Sequence, residues 1–425
     1  MDADIRLQVK RARGRFAAMA ATYGLGVFND GFFRQSAIFL AISSQHKGLE
    51  GWIMSLFTLP YLVSASYAGW LADRFSKRNV IIGAKCMELA AMLMGAYGIM
   101  FDDWAFILMM AFTMGWQSCL FSPALNGSIP EIYPAFYVNR ANSFLKVIVT
   151  VMILAGVSVS GVAIGTGGMG PWDIPLGRFI VGVGVVSVSL IGLATSFFVT
   201  SKPPADPHVR FPWNGPLDTL RPIIRIFSDR LLWYVMLADV FVWFAGSIMV
   251  LCLSQMAKVQ FGWGEATGGY IIAVELVGLA VGGLLSNILT RYRNWYRVLG
   301  PLAVIMGLLL GCCVFLPAVM QEGYRKMAAF VLFGAVGVIG GLYMIPCEAF
   351  IQIRPAGKCK GTVIATANFA VFVGIFLSGP VEVFMIRFLR PTDTMAVVGI
   401  VGIAVGLYIS LKLLRTVDTQ KEFEL

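Results

Sequence analysis

Histidine is nearly absent: His46 and His208 are the only two in 425 residues, and hydropathy puts both in loops. A His-based metal cluster is therefore excluded, and a His–Asp base of the kind acyl transfer needs has no candidate, so the chain does not read as an enzyme. Charge is scarce too, at 13% of residues against 58% hydrophobic. No polar stretch long enough for a soluble domain is left over. The seven cysteines (Cys86, Cys119, Cys252, Cys312, Cys313, Cys347, Cys359) lack metal-ligand spacing, and most fall in apolar runs where Cys behaves as a small hydrophobe. No metal, cofactor or disulfide is expected.

What is present is a recurrence of apolar runs from Phe16 to Leu414, spaced about 30 residues apart, the period that a span of ~20 residues and a short loop produce. The pattern predicts an all-α membrane protein with twelve transmembrane helices, near residues 16–44, 52–72, 79–100, 104–123, 141–166, 176–200, 232–257, 268–290, 298–318, 327–347, 362–388 and 394–414. The basic start could pass for a secretory signal. Asn29, Asp30 and Arg34 interrupt the first run, however, and it continues beyond them, so we read it as a retained span.

Orientation follows from Lys and Arg, because short basic loops stay cytoplasmic. With both termini inside, 24 of the 33 basic residues fall in inside loops and tails and 7 outside, while Arg34 and Lys85 lie within spans. Both termini are thus expected to be cytoplasmic. The net charge of +10 is then topological, distributed over one membrane face; it speaks for anionic membrane lipid as a neighbour and against a nucleic-acid partner.

The longest inside loop divides the chain into residues 1–200 with six spans, a linker at 201–230, and residues 231–425 with six more. The linker opens with Lys202-Pro203-Pro204 and contains Phe211-Pro212-Trp213, which rules out helix there. After Pro216, Leu217, Leu220, Ile224 and Phe227 share one helical face with Arg221, Arg225 and Arg230 elsewhere, which describes an amphipathic helix lying at the membrane surface or packed on the inner face of the bundle. Two six-span halves joined by a cytoplasmic loop resemble the major facilitator superfamily. Between the second and third spans the run Gly69-Trp70-Leu71-Ala72-Asp73-Arg74-Phe75-Ser76-Lys77-Arg78 is similar to its loop signature. The resemblance implies a gating role for Gly69, Asp73, Arg74, Lys77 and Arg78: the glycine would permit close helix approach and Asp73 would cap a helix or pair with a cation. An ordinary basic turn is the plain alternative. The second half repeats the pattern as Gly283 through Arg291 and Arg293, with Asn287 in place of the acid.

Three stretches narrow the resemblance: Phe28-Asn29-Asp30-Gly31-Phe32-Phe33-Arg34; Gly115-Trp116-Gln117-Ser118 with Phe121-Ser122-Pro123 through Pro130; and Gly340-Gly341-Leu342-Tyr343 followed by Gly361 through Asn368. Together they resemble the bacterial lysophospholipid transporter family, in the branch often fused to a glycerophospholipid acyltransferase. That likeness implies a flippase in the inner membrane that moves lysophospholipids toward the cytoplasmic leaflet by alternating access, for reacylation by a separately encoded acyltransferase. The chain departs from the family pattern at Gly31, where Asn is usual, at Leu125, where Lys is usual, and at Val250, where some members are basic. A proton-coupled permease or exporter of a small amphipathic solute remains the alternative.

Charges at membrane depth mark the candidate substrate-binding residues, since each costs roughly 2.5–3.5 kcal/mol unless it faces a partner or a wet cavity. Asp30 and Arg34 share a helix face, either as a self-neutralising pair or with Arg34 taking a phosphate and Asp30 an amine or a proton. Asn29 accompanies them. Asp239 and Glu275 have no partner nearby in sequence, and Asn368 is added from the last family-like stretch. Lys85 and Glu88, three apart, are read as a structural pair, and Glu382 as sitting near a span end where snorkelling is cheap. Pro123 is expected to end the fourth span or mark a break in it.

Overall fold

The structure, a computed structural model, describes residues 3–43, 48–133, 135–200, 202–204, 206–213, 215, 229–289, 298–353 and 360–417. Among these residues there are twelve long helices: α1 (Ala3–Ser43), α2 (Leu49–Arg74), α3 (Lys77–Phe101), α4 (Trp104–Ile132), α5 (Ala135–Ile164), α6 (Leu176–Ser196), α7 (Arg230–Gln255), α8 (Glu265–Leu289), α9 (Leu299–Gly311), α10 (Glu322–Ile353), α11 (Lys360–Met385) and α12 (Pro391–Val417). A π-helical turn, Met256–Gln260, extends α7, and a 3-10 segment, Cys312–Ala318, extends α9. Ten are long and apolar enough to cross a membrane; α1 and α2 have the length but a more polar composition.

Local sequence explains several helix starts. Ser76 Oγ accepts from Asn79 N at the head of α3, Asp103 Oδ1 accepts from Ala105 N and Phe106 N at the head of α4, and Asp229 Oδ1 accepts from Leu232 N at the head of α7. Each acceptor satisfies backbone donors that a first helical turn leaves open. Pro123 does not end α4, which runs on to Ile132. Inside a membrane bundle the carbonyl freed by a proline ring is re-satisfied by neighbours, and Pro60, Pro346 and Pro380 likewise sit inside α2, α10 and α11. The amphipathic stretch after Pro216 and the Arg291–Arg293 loop lie outside the described residues.

The helices pack into two compact units. The first contains Met1–Leu40 and Leu56–Pro216; its core joins Met19 of α1, Ile81 of α3 and Phe121, Leu125 and Ile129 of α4. At Gly115 the backbone of α4 meets that of α2 so closely that a Cβ would collide with the Phe57 carbonyl, and this contact brings Phe57 and Tyr61 over the middle of α4. The second unit contains Ala41–Ser55 and Leu217–Leu425. In it α8 and α10 touch along Gly278, Gly282, Gly337 and Gly341, where Cβ atoms would strike the partner's backbone. The first turns of α2 belong to this second unit: Ser55 Oγ donates to the Phe376 carbonyl of α11 at 2.8 Å.

Candidate functional site

In the first unit α1 faces α2, α3 and α4 across a cavity of about 240 Å³. Asp30 and Arg34, one turn apart on α1, line it. They do not form an ion pair. Asp30 Oδ2 sits 3.0 Å from Ser118 Oγ of α4, and the Arg34 guanidinium lies over the Phe57 ring at 4.9 Å. Ser118 Oγ is also 3.0 Å from Gln117 Oε1. A hydroxyl carries one proton, so it serves one of these two acceptors at a time. Asp30 Oδ1 is buried with no hydrogen-bond partner among the described residues. The carboxylate is therefore short of donors, while a cation stands a turn away.

Behind the cavity wall is a second charged pair. Lys85 Nζ and Glu88 Oε2 of α3 are 2.6 Å apart, with side chains 1% and 0% exposed. Glu88 also accepts from Asn29 Nδ2 at 3.5 Å and from Gln117 Nε2 at 3.4 Å, and Asn29 Nδ2 reaches the Val185 carbonyl of α6 at 3.1 Å. Lys85 lines the cavity, with Nζ 5.4 Å from the Phe121 ring centre. Asn29 is fully buried and holds Glu88 rather than facing the cavity. The charge network thus runs Asp30, Ser118, Gln117, Glu88, Lys85. The reading from sequence did not include Gln117, Ser118 or Lys85 in the site; the family-like stretch Gly115–Ser118 was the available signal for the first two.

Asp239, Glu275 and Asn368 belong to the second unit and not to this cluster. Asp239 Oδ1 and Glu275 Oε2 are buried without a hydrogen-bond partner among the described residues, and Asn368 is exposed. No group of His, Cys, Asp or Glu that could hold a metal is found among the described residues.

The gating candidates surround the turn between α2 and α3. A Cβ at Gly69 would meet open space, so close helix approach is not what that glycine provides here. The Asp73 carbonyl accepts from Asp206 N at 3.1 Å, while its carboxylate is exposed and takes no hydrogen bond among the described residues. Arg74 ends α2, where a cation complements the helix dipole. Lys77 pairs with Glu131 of α4, its stem passing Gly127, and Arg78 Nη2 donates to the Phe197 carbonyl at 2.8 Å. The linker fastens to this turn. Trp70 Nε1 donates to the Val209 carbonyl at 3.3 Å, and Phe211 packs on Tyr67 and Trp70 at 5.4 and 5.0 Å.

Known proteins resemble this chain over most of its length. The lysophospholipid transporter LplT of Serratia proteamaculans (strain 568) is 24% identical over 318 residues, covering 73% of each chain. That of Citrobacter koseri is 23% identical over 363 residues, covering 84% of each. Among solved structures, a bacterial homologue of the human lysosomal transporter Spinster superposes with a TM-score of 0.68 at 16% identity, covering 95% of this chain and 93% of that one. A D-xylose–proton symporter gives 0.69 at 13% identity, covering 93% and 96%. At these identities the structural likeness speaks for the fold. The Major Facilitator Superfamily model matches residues 17–379, from the first helix into the eleventh, and the chain belongs to that superfamily.

Proposed function

We propose that this protein is a lysophospholipid flippase of the bacterial inner membrane, with both termini cytoplasmic, working by alternating access between an N-terminal half (1–200) and a C-terminal half (231–425) joined by the linker. The observation that carries the reading is that Arg34 and an unpaired carboxylate, Asp30, whose Oδ1 lacks a donor, line one cavity from the same face of α1. A zwitterionic headgroup supplies the complement: its phosphate meets the guanidinium and its ammonium meets Asp30. Val27, Phe57, Phe121 and Ile153 give the wall its apolar part. The cavity is smaller than the ~300–1,000 Å³ typical of drug-sized ligands, so it takes the headgroup and leaves the acyl chain to lie outside it. Lys85 supplies a second cation next to α4, the helix on which Leu125 stands where the family usually has Lys. The relatives named above as lysophospholipid transporters support the same substrate class. On this reading, Asp239, Glu275 and Asn368 serve the substrate path from the second half, Gly69 through Arg78 form the gate, and a separately encoded acyltransferase consumes the product.

The test uses liposomes carrying the purified protein and fluorescent lysophosphatidylethanolamine in the outer leaflet. Loss of the lipid from the reach of an external quencher, abolished by Arg34→Gln, is expected. No flipping with or without a proton gradient would transfer the assignment to a permease for a small solute.

A further inference from the structure

Glu50, Gln255 and Glu382 come together from the start of α2, the end of α7 and the last turns of α11, and are 2%, 7% and 0% exposed. Gln255 Nε2 is 2.7 Å from Glu50 Oε1 and 2.6 Å from Glu382 Oε1. One amide nitrogen has two hydrogens, and both are used by these contacts. Glu50 Oε2 accepts from Gly48 N at 3.1 Å. Glu382 Oε2 is buried and has no hydrogen-bond partner among the described residues. Two buried carboxylates that share one neutral amide donor, with one Glu382 oxygen unserved, leave a positive charge missing. The Gln255 N–H groups point at Oε1 of both acids, and their positive ends disfavour a metal cation beside them.

We propose that Glu50, Gln255 and Glu382 form a proton-binding site that holds one proton between the two carboxyl groups. Helix alternation puts all three helix ends on one membrane side, the side the charge asymmetry makes external, so the proton enters from outside. Cys252 of α7 also faces the two acids, with Cys313 beside it. Lys258, further along the same helix, is engaged by Glu265, and Arg387 beyond Glu382 is exposed. His46 and Lys47 precede Glu50 in the chain and lie outside the described residues. The inference is independent of what the protein carries.

The experiment follows the thermal unfolding of the full-length protein in nanodiscs against pH, alongside the infrared C=O band of protonated carboxyl groups in protein carrying isotope-labelled glutamate. A proton bound in the folded protein and not in the unfolded chain gives stability that is present at low pH and lost as pH rises. Wild type is expected to lose unfolding temperature as pH rises; Glu382→Gln and Glu50→Gln flatten that slope and remove part of the band. A wild-type band and slope unchanged by either variant would overturn the proposal. So would a slope abolished by His46→Gln, or stabilisation by sodium that both glutamine variants lose. If a variant does not fold, absence of a pH-sensitive glutamic acid band in the wild type overturns the proposal by itself.

Discussion

The Lys85 ammonium occupies the space that a side chain at Gly26 would need: a Cβ on Gly26 would stand 2.6 Å from Lys85 Nζ. That nitrogen is the tip of a flexible side chain, but here it is buried and tied to Glu88, so retreating costs it that contact. Gly26→Ala gains helix propensity of up to ~1 kcal/mol and loses ~1–3 kcal/mol to overpacking. A net fall in unfolding temperature of the detergent-purified protein is expected, with Gly26→Val worse. An unchanged temperature for both would mean that Lys85 has an alternative place.

Removing one partner of the buried α3 pair strands the other. Lys85→Met leaves Glu88 without its counter-charge and is expected to cost about 3–5 kcal/mol. The double variant Lys85→Met with Glu88→Gln should recover most of that loss, because the amide is neutral and its oxygen can still accept from Asn29 or Gln117. A double-mutant cycle on thermal stability measures the coupling, and additive effects would count against it.

Headgroup chemistry separates Asp30 from Arg34. If Asp30 receives an ammonium, Asp30→Asn slows flipping of lysophosphatidylethanolamine by ten- to a hundredfold, from a charged hydrogen bond of about 1.5–3 kcal/mol, and slows lysophosphatidylglycerol much less. Arg34→Gln slows both. Equal effects of Asp30→Asn on the two lipids would remove the ammonium contact from the scheme.

The linker's hold on α2 is aromatic and can be undone without touching the cavity. Phe211→Ala removes ring contacts with Tyr67, Trp70 and Trp213, each pair contributing about 0.5–1.5 kcal/mol. Faster limited proteolysis between Lys202 and Trp213 is expected. Global unfolding temperature should change little.

Hydropathy alone delivers the twelve helices, because a buried backbone in lipid has few options and ten of the spans are long apolar runs. It misplaces ends where polar residues continue a helix past the apolar stretch, as at α4, which goes on from Pro123 to Ile132. Asp30 and Arg34 are legible as charges inside an apolar run. The tie of Glu88 to Asn29 and Gln117 is not, since it depends on three helices meeting at one depth. Glu382 shows the same limit more sharply: beside the end of its run it reads as a residue that can snorkel to water, yet contact with Gln255 of α7 buries it completely.

The glycine contact between α8 and α10 has a mechanical meaning. Helices separated by side chains can slide as rotamers readjust, but here backbone meets backbone at Gly278, Gly282, Gly337 and Gly341, so a slip of one residue, about 1.5 Å, moves neighbouring Cβ atoms toward the opposite backbone, where a Cβ has no room. The two helices behave as one beam. A transport stroke that needs shear must find it along helix pairs with side chains between them, and α8 carries α10 along with it.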